Sequence, residues 1–217
     1  MANLPDVADA GARTSQEPRR SVVRGSPGLT VLTGGQTGVD TAAALAALRA
    51  GLSVHLVFPR GLLQEDGPIS ASRRRQLHGA LLHELASPEF RYRTWTSVYL
   101  SDAVILIDPA GGDGCQETVR AAERLGRPVL TLGQRAGTDA SDGSSSGPRP
   151  GSELVTSGQI ASWLDGNDVR VLMMAGCRAS LLAAAGISHA LHARLAAVMS
   201  GASARHRQLL AAAPAPP

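Results

Sequence analysis

Lysine is missing altogether from this 217-residue chain, and every one of its 21 basic residues is arginine. Alanine is abundant beside it, a combination that reflects nucleotide-composition bias in the coding sequence. The arginine count is therefore weak evidence for a nucleic-acid partner. Aromatic residues make up only 3% of the chain, so the stacking platforms that hold single strands are largely missing. Nucleic acid is not an expected partner. Cysteine is scarce as well: Cys115 and Cys177 define neither a disulfide framework nor a zinc spacing. The six histidines show no metal-ligand spacing with carboxylates, so no metal ligands are assigned. No apolar run reaches the roughly 18 residues of a membrane span, and no charged-then-apolar signal segment opens the chain. A cytoplasmic protein with no membrane partner is expected.

What is present is an alternation of short apolar runs with helical patterns. The runs are LTVLT (29–33), SVHLVF (53–58), AVILI (103–107), PVLTL (128–132) and VRVLMM (169–174). Helical patterns cover 41–50, 88–100, 116–125, 157–164 and 188–199, and ALLHELAS (80–87) fits either a helix end or an edge strand. Strands alternating with helices imply βαβ units and a parallel sheet. The expected fold is α/β: a Rossmann-like, doubly wound, mostly parallel sheet of about six strands flanked by helices, in one domain. That domain spans 28–201, between a disordered tail at 1–27 and a C-terminal tail at 202–217. A Ser/Gly/Pro/Asp-rich stretch at 135–151 is too polar to pack and reads as a mobile loop.

Ligands of open α/β sheets bind at the carboxyl ends of the strands, so the connections that follow the strands are the informative segments. After LTVLT comes GGQTGVD, a strand-to-helix turn whose outward N–H groups lie beside the positive end of a helix dipole. That geometry holds phosphate or carboxylate. Gly34, Gly35, Gln36, Thr37 and Gly38 are expected to line a phosphate, with Asp40 capping or orienting the turn. It is not a P-loop, because the lysine of that motif is absent. After SVHLVF comes PRGLLQEDGPIS, where Arg60 suits bidentate contact with phosphate or pairing with Glu65.

DPAGGDGCQET, after AVILI, is a second glycine turn that opens a helix; Gly111, Gly112 and Gly114 are its candidate anion-binding residues. Glu117 in the first helical turn is either a helix-dipole carboxylate, or a hydroxyl ligand or acid/base near a sugar. AGCRAS follows the last run and places Arg178 at the ligand edge of the sheet. Arg73, Arg74 and Arg75 read as a solvated surface.

GGQTGVDTAAALAALRAG, FPRGLLQEDGPI, RT at 93–94, SDAVILI, the glycine turn with Glu117, GRPVL and AGCRAS stand in the order seen in the putative molybdenum carrier family. The chain resembles that family, part of the SLOG superfamily, from about 29 to 199. It departs from the family pattern at Ser97 and Leu100, where Asn and Asp are usual. More distantly it is similar to the LOG phosphoribohydrolases, whose P-G-G-x-G-T-x-x-E motif, laid on Pro109, matches at Gly111 and Glu117 and differs at Ala110, Asp113 and Gly114. The resemblance implies a binding or carrier protein for a phosphorylated small molecule, with a nucleotide or the molybdenum cofactor, a pterin monophosphate, as candidate ligand. It also implies a homodimer or higher homo-oligomer. The alternative is a hydrolase cleaving the N-glycosidic bond of a nucleoside monophosphate, with Glu117 and Arg93 catalytic.

Overall fold

The alternating runs fold as a three-layer α/β/α sandwich in the computed structural model, which describes Val23 and residues 25–107, 113–133, 155–181 and 188–213. In chain order the elements are β1 (Thr30–Thr33), α1 (Val39–Arg49), β2 (Ser53–Phe58), β3 (Leu63–Gln64), β4 (Gly67–Pro68), α2 (Ala71–Gln76) and β5 (Leu81–Glu84). They continue with α3 (Phe90–Leu100), β6 (Ala103–Ile107), α4 (Asp113–Arg124), β7 (Val129–Leu132), α5 (Ser157–Gly166), β8 (Val171–Gly176) and α6 (Ser188–Ala212). The stretch at 135–151 and the glycines Gly111 and Gly112 lie outside the described residues.

Six strands form one sheet in the order β5-β2-β1-β8-β6-β7, and every pairing in it is parallel. Segment 80–87 resolves to an edge strand, with Leu81 opposite His55. The last strand stands in the middle: Thr30 of β1 pairs with Val171, and Ala103 of β6 with Leu172. From β8 the sheet winds outward through β1, β2 and β5 on one side and β6 and β7 on the other. Beside β8, β1 is third of the six, the place of the first strand in the usual doubly wound order. Strands β3 and β4 form a separate antiparallel hairpin.

Burial on both faces explains why β6 and β8 carry no polar side chain. Leu172 and Met174 of β8 join one core with α1, α5 and α6; Val171, Met173 and Ala175 join the other with α3 and α4. Side chains of β6 divide in the same alternating way. No described helix is long and apolar enough to cross a membrane.

The ends of the domain lie further out than the periodicity placed them. Val23, inside the expected N-terminal tail, is fully buried against the α3–α4 face. Helix α6 runs to Ala212, past Met199 where the apolar pattern ends, so residues 202–212 are helical and not a tail. Polar contacts hold this extension. Arg205 is buried and reaches the Val169 carbonyl at 3.3 Å, Asp165 at 2.5 Å and Asp168 at 2.9 Å. The Leu29 N–H donates to Nδ1 of His206 at 3.1 Å, tying the start of β1 to the same helix. Hydrophobic periodicity cannot reveal an anchor made of an arginine and a histidine.

Arg205→Ala strips a buried carbonyl and two carboxylates of their donor. It is expected to lower unfolding free energy by about 1–3 kcal/mol, read from urea midpoints. Asp168→Ala, at a side chain 78% exposed, is expected to cost under about 1 kcal/mol.

Candidate functional site

The glycine turn after β1 has the anion-holding geometry its sequence suggests, and the anion is the protein's own. The carboxylate of Asp40 accepts from the N–H of Gln36 at 3.2 Å and from that of Gly34. The Gly35 N–H donates to the Thr33 hydroxyl, the Thr37 N–H to the Gln36 side chain, and the Val39 N–H to the Cys177 carbonyl. Gly38, not Asp40, is the N-cap of α1. In this structure the N–H groups of residues 34–37 thus have partners within the protein itself.

Each turn glycine has its own steric reason. Gly35 has φ of 67°, and a Cβ on it would stand 2.5 Å from the buried Phe58 ring, so it faces the core and not a ligand. A Cβ on Gly34 would overlap the Arg93 guanidinium, and one on Gly38 would strike the backbone at 177–179. Close backbone approach is the common requirement.

Arg93 and Asp40 form a buried ion pair at 3.3 Å, with side chains 10% and 5% exposed. Burial raises the Asp40 carboxyl from its ordinary 3.8 to about 6, with the Arg93 charge opposing. Burial likewise draws the Arg93 pKa down, against the pull of Asp40. Among the described residues, the buried Nε of this guanidinium has no hydrogen-bond partner.

A cavity of about 310 Å³ opens here, at the carboxyl end of β8 and against α3 and α4. Of the expected site residues, Gln36, Asp40, Arg93, Gly114, Glu117 and Arg178 line it. Gly34, Gly35, Thr37 and Gly38 lie behind this wall, and Arg60 is exposed and away from it. Nor does Arg60 pair with Glu65. That carboxylate instead accepts from the Thr37 hydroxyl and from the Ser180 hydroxyl at 2.6 Å, with Arg178 at 3.9 Å. Burial alone would raise the Glu65 pKa, but these Ser180 and Thr37 hydrogen bonds and the Arg178 charge leave it lowered. Gln64 Nε2 donates to the Gly35 carbonyl at 2.6 Å, while Arg73 reaches Gln64 and Asp66. The β3–β4 hairpin is thereby clasped onto the glycine turn, and Arg73 is part of the clasp and not merely solvated surface.

On the opposite wall, Glu117 accepts from Trp95 Nε1 at 2.5 Å and Arg91 Nε at 2.7 Å, with Arg120 at 3.6 Å. The Trp95 hydrogen bond, opposed by burial and helped by Arg91, holds its carboxyl below the usual glutamate value. The first turn of α4 faces the cavity through Asp113, Gly114 and Cys115. Among the described residues, no contact is made within 4 Å of where a Gly114 Cβ would be.

Sequence reasoning missed Glu65 as a site residue, along with Trp95 and the two cysteines. Cys115 and Cys177 both line the cavity, and their thiols are hydrogen-bonded to each other. That contact, and then burial, push the Cys115 thiol far up. Trp95 lies four residues after Arg91 on α3, a spacing that puts both on one helix face. That was a usable signal; nothing local announced the cysteine pair.

Because Asp40 binds its proton more tightly in the folded protein than unfolded, its contribution to stability is full below about pH 4 and is lost as pH rises through about 6. Within that window the slope is up to about 1.4 kcal/mol per pH unit. Urea midpoints from pH 4 to 7 are expected to show this fall in the parent and a flatter profile in Asp40→Asn. Parallel profiles would show that Asp40 does not titrate there.

Among solved structures, the chain is similar to the crystal structure of a putative molybdenum carrier protein from Syntrophus aciditrophicus SB. Identity is 22%, the match covers 78% of this chain and 93% of that one, and the TM-score is 0.57. At that identity the likeness concerns the fold. No curated protein matches. The model of the circularly permutated YpsA SLOG family matches residues 31–199. The chain belongs to the circularly permutated YpsA family of the SLOG superfamily.

Proposed function

We propose that this protein binds a phosphorylated small molecule as a carrier, with the anionic group seated between the start of α4, Arg93 and Arg178. The observation that carries the reading is that Arg93 lines the cavity with a buried Nε that has no partner among the described residues. An unpaired buried guanidinium N–H costs free energy until an acceptor reaches it. Support comes from the open space beside Gly114 and the positive end of the α4 dipole. The cavity, about 310 Å³, is at the small end of ligand sites. The name of the similar Syntrophus protein makes the molybdenum cofactor one candidate cargo, and a nucleotide is the other. For either, these residues fit the phosphate.

One observation favours a second reading, N-glycosidic hydrolysis. Glu117 stands ionised in the same cavity as Arg93, where a carboxylate can stabilise developing positive charge. Against it, Trp95, Arg91 and Arg120 already surround that carboxylate.

A nucleoside monophosphate at about 100 times its dissociation constant is expected to add roughly 2.7 kcal/mol of stability, and the parent nucleoside far less. Arg178→Ala is expected to weaken that binding about 10- to 100-fold, the worth of a hydrogen bond to a charged group, in a protein that still folds. Equal thermal shifts from nucleoside and monophosphate would overturn the anion site. Release of free base by the parent protein, lost in Glu117→Gln, would replace the carrier with the hydrolase.

A further inference from the structure

Two thiols far apart in sequence meet in this cavity. Cys115 comes from the first turn of α4 and Cys177 from the residue after β8. They are 6% and 1% exposed, belong to one packed cluster, and line the same wall as Met173. Neither is in a disulfide, and each thiol touches the other. For plain packing, a second small apolar residue would serve; a sulfur pair at a cavity wall adds chemistry that packing does not use.

We propose that Cys115 and Cys177 form a two-sulfur binding site for a soft monovalent d10 metal ion, of which copper(I) is the biological example. Soft thiolate donors select such ions over hard ones. A zinc site needs four donors, and among the described residues no group of three or more His, Cys, Asp or Glu side chains converges to hold a metal. A d10 monovalent ion is satisfied by two sulfurs in line. On binding, both S–H bonds break, two sulfur–metal bonds form, and two protons leave for solvent. No electron is transferred. The product is a bis-thiolate of net charge −1, and the guanidinium groups of Arg93 and Arg178 line the same cavity to balance it. The site does not depend on the phosphate reading, since neither thiol takes part in that proposal.

The test is anaerobic titration of the full chain with copper(I) under ascorbate, in competition with a chromogenic copper(I) chelator. One equivalent is expected to be retained by the parent. Cys115→Ser and Cys177→Ser are each expected to lose affinity by more than the roughly 10- to 100-fold that an outer-shell change causes. Thermal unfolding of the metal-free variants checks that they fold. Copper X-ray absorption of the loaded parent, which needs no variant, is expected to show sulfur neighbours alone. Full surrender of copper to the chelator by the parent, undiminished retention in the doubly substituted protein, or a nitrogen- and oxygen-only shell would each overturn the proposal.

Discussion

A guanidinium held beneath a glycine sets the geometry of the cleft. Arg93 arrives from α3, Asp40 from α1, and Gly34 lies between them with no Cβ to keep them apart. Each buried charge needs the other, since removing either leaves an uncompensated ion in a low-dielectric place. The same carboxylate gathers the N–H groups of Gly34 and Gln36. One ion pair therefore shapes the β1 turn, anchors α3 to the sheet, and leaves the guanidinium Nε buried and without a partner among the described residues. The cavity forms around what that pair does not satisfy.

The electrostatics of the cleft are local. Arginines 91, 93 and 178 line it together with Asp40, Glu65, Asp113 and Glu117, so it carries no strong excess of one sign. The acids at 40, 65 and 117 are each engaged with donors from neighbouring elements. Recognition in such a site rests on which donors stay unpaired, more than on long-range attraction of charge. The β3–β4 hairpin matters because Glu65 occupies Thr37 and Ser180, and because it half-neutralises Arg178.

Much of this architecture was legible in the sequence, for identifiable reasons. Strands buried on both faces read as nearly continuous apolar runs, and β2 and β6 fall on the residues their runs marked. The connections after the strands do converge, bringing Gln36, Asp40, Arg93, Gly114, Glu117 and Arg178 to one cavity. What was not legible is pairwise and non-local. A motif read as an anion cradle does not disclose that a carboxylate four residues from Gln36 will fill it. Glycine at 35 looks the same in sequence whether it faces a ligand or the Phe58 ring. The hairpin clasp and the meeting of Cys115 with Cys177 depend on which strands lie side by side, and strand order has no local signature.

Strand β8 has a consequence for how the chain is made. A ribosome delivers β1, β2 and β5 early, then β6 and β7, and only much later the strand that pairs with both β1 and β6. Until it emerges, the two halves of the sheet each present an unfilled parallel edge, and such edges recruit other chains. The nascent protein therefore passes most of its synthesis as two incomplete sheets and closes in a late step made of long-range contacts, the slow kind. Arg178 and Cys177 arrive with that same closing strand. No partly synthesised chain can hold the cleft, so the cavity exists only once this last strand has paired with both halves of the sheet.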